Sequence, residues 1–207
     1  MDAREAIVTR RSIREYNNKS LGISTIEEII DAGRYAPSSG NVQTWKVIVV
    51  TDEKMRDNIA GISMKQSWIS QAPVLLVVCS DRTMLKSYYG EKADKYCIQT
   101  VAAAAENMLI RANSLGVSSC WVDTFENNAL KRHLKIPDEI TPEIIITLGY
   151  SNDEKSLAYL KTDLNKIVYF DSWGKFDREI KLINELNKQI KKKIKIRKKT
   201  KGSKTSK

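Results

Sequence analysis

Apolar residues recur along this chain with two periods, and the difference between them separates helices from strands. Ser24-Thr25-Ile26-Glu27 has the pattern of a capping box and predicts a helix on which Ile26, Ile29, Ile30 and Gly33 or Ala36 share one face, closed by Pro37. An earlier helix is expected from Asp2, with Glu5 three residues on, running into the basic cluster Arg10 to Arg14. Four short apolar runs read as buried strands: Lys46 to Val50, Val74 to Cys79, Ser118 to Val122 and Glu143 to Leu148. Between the second and third, a long helix is predicted over Lys95 to Ser114 and ended by Gly116, with Ala102 to Ala105 permitting close packing. A short helix, Asn127 to Leu134, precedes a turn at Pro137, and Gly149 closes the last strand. Beyond Trp173-Gly174, Ile180, Ile183, Leu186, Ile190 and Ile194 keep a helical spacing that dissolves into lysine.

Charge changes this picture only at one end. The 207 residues carry a formal +10, but Lys188 to Lys207 holds eleven Lys and Arg and no acid, so removing that tail leaves −1 for residues 1–187. The expected organisation is one domain over 1–187 and a lysine-rich extension over 188–207, disordered from about Arg197. Any inference to polyanion binding belongs to the extension alone. Cys79, Cys97 and Cys120 are widely spaced without a CxxC or paired histidines, which suggests neither a zinc site nor a disulfide framework. No metal is expected. The longest apolar runs are too short to span a bilayer and the N-terminus has no apolar signal core, so a cytoplasmic protein is expected.

Three segments carry candidate chemistry. Thr9-Arg10-Arg11-Ser12-Ile13-Arg14 concentrates three guanidiniums and a hydroxyl, planar and permanently charged donors of the kind that grip phosphate oxygens. Taken alone, the run reads as a solvated basic helix end. Pro37-Ser38-Ser39-Gly40-Asn41, with Gln43 beyond, is a polar loop leading into a buried strand; it suits a ligand loop or a plain turn. Gln66 and Trp68 fall on a short predicted helix before the second strand, where they could meet a ligand or simply pack. The one histidine, His133, lies on a charged helix and reads as solvated, and no Ser-His-Asp or Cys-His triad can be built without it. GxGxxG and GxxxxGK[ST] are both missing, which disfavours a Rossmann or P-loop site.

In order along the chain, RRSIREY, APSSGNVQTW, QSWISQAPVLLVVCSD, YGEKADKYCIQTVAAAAENMLIRANSLGVSSCWV and IPDEITPEIIITLGYS resemble the nitroreductase and flavin reductase superfamily from about Arg4 to Trp173. That resemblance implies an α+β fold with a central mixed sheet of about four to five strands flanked by helices. It also implies an intertwined homodimer with FMN bound at the subunit interface. Arg10, Arg11, Ser12 and Arg14 would hold the FMN phosphate and ribityl chain, while Pro37, Ser38, Ser39 and Asn41 would reach the flavin from the other subunit. Gln66 would meet the pyrimidine edge of the ring, and Lys161 would lie near the phosphate. Gln43-Thr44-Trp45 and Trp121-Val122-Asp123-Thr124-Phe125 depart from the family pattern, the latter placing the Asp123 carboxylate where a small residue would approach the flavin. The implied activity is transfer of hydride from NADH or NADPH through FMN to a nitro compound, quinone, flavin or similar acceptor by a ping-pong mechanism, with no protein nucleophile. Two other readings stay open: flavin as the substrate itself, reduced for release or fragmented, and a binding protein acting through its basic tail.

Overall fold

A computed structural model describes residues 1–152 and 161–175. The chain divides into two units, Met1–Leu157 and Ala158–Lys207. The tail and the expected boundary at residue 187 lie outside the described residues.

In the first unit the strands are β1 (Trp45–Val50), β2 (Val74–Asp81), β3 (Ser118–Val122) and β4 (Ile140–Gly149). They form one sheet in the order β1-β2-β4-β3, with every neighbouring pair antiparallel. The class is α+β, as expected, with one difference from the mixed sheet: among the described residues the parallel component is a single bridge, Ser12 to Ser119. The central strands read as continuous apolar runs because both faces are covered: every residue from Val74 to Ser80 is buried, as are Ile144 to Gly149.

The helices are α1 (Ala3–Thr9), α2 (Ile23–Arg34), α3 (Glu53–Ile62), α4 (Trp68–Gln71), α5 (Thr83–Tyr89), α6 (Ala93–Ser114) and α7 (Asn127–Leu134). Helix α6 crosses one sheet face. Its Val101, Ala104, Ala105, Met108 and Ala112 pack in one core with Ile26 and Ile29 of α2 and with Leu76, Val78, Ile146 and Leu148 of the sheet. Gly33 permits the approach of α2 to α6, since a Cβ there would lie 2.5 Å from Met108 Cε. The other face holds a second core around Ile59, Ile69, Leu75, Val77, Leu130 and Ile145.

Helix ends follow local chemistry. Asp2 caps α1 by accepting from the Glu5 amide, and Asp52 caps α3 through Met55. At the end of α6, Gly116 takes φ +75° while its N–H reaches the Asn113 carbonyl and that of Val117 reaches Ala112, a Schellman closure. The expected capping box at Ser24 is corrected: α2 begins earlier, with Gly22 at the cap and no side-chain cap bond. Among the described residues no helix is long and apolar enough to cross a membrane.

The described residues of the second unit hold a 3-10 turn, Leu164–Lys166, a Tyr169–Trp173 ring contact at 4.6 Å between centroids, and a Lys175–Asp171 ion pair.

Candidate functional site

The arginine cluster begins at a helix end, with Arg10 as the C-cap of α1, but runs on beyond it. Helix α1 stops at Thr9, and the chain leaves it extended, with Arg10 at φ −55°, ψ 135°. The segment then lies along the outer edge of β3, where the Ile13 amide donates to the Ser119 carbonyl at 2.9 Å and Ser12 bridges Ser119. Both flanks are tied down. On one side Asn113 of α6 donates to the Ala6 carbonyl at 2.7 Å and to the Thr9 hydroxyl at 2.8 Å. On the other, the buried Tyr16 hydroxyl contacts both the Ile13 carbonyl and the Thr147 hydroxyl, and the Asn17 amide donates to the Tyr150 carbonyl.

The three guanidiniums have different engagements. Arg11 turns back on its own helix, donating to the carbonyls of Val8 and Arg10 and so satisfying the end of α1. Arg10 is 3.4 Å from a Glu106 oxygen of α6. Arg14 is exposed and stands over the Trp68 ring, 5.6 Å from its centroid, with no carboxylate partner among the described residues. Such a stacked contact orients a cation without neutralising it. Beneath this edge lies the buried Cys120 thiol, raised above its ordinary pKa by burial, with the charge of Arg14, hydrogen bonds from Arg14 and Ser12, and the charge of Arg10 acting in the opposite direction.

Gln66 comes to the same edge, since it lies two residues before Trp68, in a turn rather than on the expected helix, which begins only at Trp68. Two consecutive non-glycine residues, Met64 and Lys65, take φ of 53° and 55° there. Left-handed backbone at such residues costs about 1–3 kcal/mol each and persists only where surrounding contacts impose it. The turn leaves Gln66 half-buried, its amide donating to the Ser63 carbonyl at 3.1 Å. Asp123 follows the last residue of β3 and is exposed; the Glu126 amide, three residues on, donates to the Ile62 carbonyl and so links this segment to the turn carrying Gln66. Tyr16 did not stand out as a site residue from sequence, although it falls inside the RRSIREY motif; Trp68 did, with packing as its other reading.

Pro37, Ser38, Ser39 and Asn41 sit elsewhere. Their loop contains one 3-10 turn in which Gly40 and Asn41 take φ of 61° and 58°, and Gln43 donates to Ser38 and Asn41. It feeds β1 at Trp45, opposite Ser80, whereas Ser12 lies on β3 at the end where Val74 pairs Leu148 and Leu148 pairs Ser119. Four strand spacings, the last from β3 out to Ser12, and six residues along β2 separate these corners, which puts them roughly 28 Å apart. A hollow of about 420 Å³ lined by Arg34, Tyr35, Gln43, Trp45 and Lys46 opens beside the loop and away from the arginine segment. Lys161 is exposed ahead of the 3-10 turn of the second unit. Among the described residues no three His, Cys, Asp or Glu are grouped to hold a metal.

Comparison with known proteins gives this geometry a context. The sequence matches the Nitroreductase family over residues 7–70 and 63–150. It is 36% identical over 153 residues to a protein of Archaeoglobus fulgidus named for NADH dehydrogenase/NAD(P)H nitroreductase activity, covering 72% of this chain and 85% of that one. A Methanothermobacter thermautotrophicus protein of the same name is 32% identical over 154 residues, covering 72% and 78%. Among solved structures, an FMN-dependent nitroreductase of Clostridium difficile R20291 superposes with a TM-score of 0.69 at 29% identity, covering 81% of this chain and 98% of that one.

Proposed function

Because the chain belongs to the Nitroreductase family, we propose that it is a cytoplasmic, homodimeric oxidoreductase that binds FMN. It takes hydride from NADH or NADPH and passes electrons to a nitro compound, quinone, flavin or similar acceptor in ping-pong order. The observation that carries this reading is the arginine edge of β3. A segment tied to the sheet on both flanks presents Arg14 without a carboxylate partner among the described residues, with Ser12, an exposed residue, two positions before it. This donor set suits a phosphate monoester: guanidinium and hydroxyl donors side by side, with Glu106 paired to Arg10.

FMN, when bound, supplies the redox chemistry by accepting hydride at ring atom N5 and releasing electrons to the second substrate. The protein's part is binding and orientation. Arg10, Arg11, Ser12 and Arg14 hold the phosphate and ribityl chain, Arg11 while also closing α1. Gln66, aimed by the strained Met64–Lys65 turn, offers its amide to the pyrimidine edge. The loop carrying Pro37, Ser38, Ser39 and Asn41 occupies the opposite corner of the sheet from the arginines, so it completes a site only on a second copy of the chain. A twofold dimer that brings opposite corners together makes two such sites. Asp123 disfavours negative charge on the ring.

The direct test is the visible spectrum of the purified full chain, followed by anaerobic titration with NADH and NADPH. A yellow protein whose flavin bands bleach with a nicotinamide supports the reading. A colourless protein that neither takes up added FMN nor oxidises either nicotinamide contradicts it.

A further inference from the structure

Tyr16 joins the arginine segment to the middle of the sheet. Its ring is buried against Pro73 and Gly149, where a Cβ on Gly149 would stand 2.7 Å from Tyr16 Cδ1 and equally close to Pro73 Cδ. Its hydroxyl lies 2.7 Å from the Ile13 carbonyl and 2.6 Å from the Thr147 hydroxyl, which in turn is 3.3 Å from the Cys120 carbonyl. Ile13 is the residue between Ser12 and Arg14, and its amide is already fixed to Ser119. Its peptide is therefore held through both its N–H and its C=O. Burial holds the phenol neutral above its ordinary range, so at neutral pH it keeps its proton for hydrogen bonding.

We propose that Tyr16 is a positioning residue for phosphate recognition: seated against Thr147, its hydroxyl fixes the Ile13 carbonyl and thereby the directions in which Ser12 and Arg14 present their donors. This rests on the FMN reading above and goes further by naming what sets the spacing of the grip. Charge-assisted contacts depend steeply on geometry, so a loosened peptide weakens contacts to phosphate and leaves contacts to the ring alone.

FMN and riboflavin, which differ by the phosphate, separate these effects. Dissociation constants of both are measured by flavin fluorescence on the flavin-stripped full chain, for wild type, Tyr16→Phe and Thr147→Val. Neither substitution strands a buried hydroxyl, because Thr147 retains the Cys120 carbonyl and Tyr16 retains the Ile13 carbonyl. The expected result is a fall in preference for FMN over riboflavin of about three- to tenfold in Tyr16→Phe and a smaller fall in Thr147→Val, with riboflavin affinity unchanged in both. Equal weakening of both flavins, which is what a merely structural role would give, overturns the proposal, as does an unchanged preference. If wild type itself does not prefer FMN, the phosphate reading falls and the proposal with it. If wild type prefers FMN and both variants keep that preference undiminished, the Tyr16 assignment falls alone.

Discussion

The arginine segment and the Pro37–Asn41 loop are both polar stretches beside an edge strand, yet the fold treats them differently. The segment is fastened at Thr9 by Asn113, at Ile13 by Ser119 and Tyr16, and at Asn17 by Tyr150, so its backbone is tied to the sheet edge it follows. The loop has Asn41 exposed, is held mainly by its own Ser38, Asn41 and Gln43, and turns on left-handed backbone at Gly40 and Asn41. A fastened donor array can recognise a compact charged group, because little is left to order on binding. A loop held by its own side chains is suited to closing over a ligand fixed elsewhere. Their places at opposite corners of one sheet make them complementary halves that meet only between two chains.

The largest expected effect comes from removing the Arg14 cation, which has no carboxylate partner among the described residues. Arg14→Ala should weaken FMN binding by about 1.5–3 kcal/mol, one charge-assisted hydrogen bond, and leave mostly colourless protein after gel filtration. Full retention of FMN would detach the arginine edge from flavin binding. Next, Gly149→Ala should lower stability by about 1–3 kcal/mol in thermal unfolding, since the new methyl overlaps Pro73 and Tyr16 at 2.7 Å. An unchanged melting temperature would mean that the segment is less firmly seated than its bonds indicate. The smallest effect is alkaline. Folding raises the Cys120 thiol above its ordinary value of 9.0, chiefly by burial. Above that value the unfolded chain loses a proton that the folded chain keeps, so stability is undiminished below pH 9 and falls as pH rises toward the folded value. Cys120→Ala should flatten this decline by up to about 1.4 kcal/mol per pH unit, read from denaturant midpoints across pH 8–10.5. An unaltered slope would assign the alkaline loss to other groups, Cys79 among them, whose thiol is pushed up to about 12.

Elements with strong local signals were readable from the sequence. Ser118–Val122 and Asn127–Leu134 stand where the pattern puts them, and the long α6 helix ends at its glycine. Local reading failed where remote contacts decide. Ser24 precedes a hydrophobic run as a cap should, but α2 starts at Ile23 with Gly22 as its cap. A run of arginines after a helix resembles a helix end until β3 offers Ser119 as a partner for the Ile13 amide and for the Ser12 bridge. Motif order identified the pieces of the site, whereas their separation depends on β4 inserting between β2 and β3, which no local pattern encodes. The role argued for Tyr16 depends on Thr147, which is distant in sequence and adjacent only in the sheet.

The most direct test of a site shared between chains is subunit complementation. Arg14→Ala damages one half, and Ser39→Ala combined with Asn41→Gly damages the other, glycine keeping the left-handed backbone accessible. Each variant alone should have little FMN or NAD(P)H oxidation activity. After unfolding, mixing and refolding together, half of the dimers should carry one chain of each kind and one undamaged site, restoring roughly a quarter of wild-type FMN sites and activity. No gain on mixing, with mixed dimers confirmed by native mass spectrometry, would show that both halves act within one chain and would contradict the shared site.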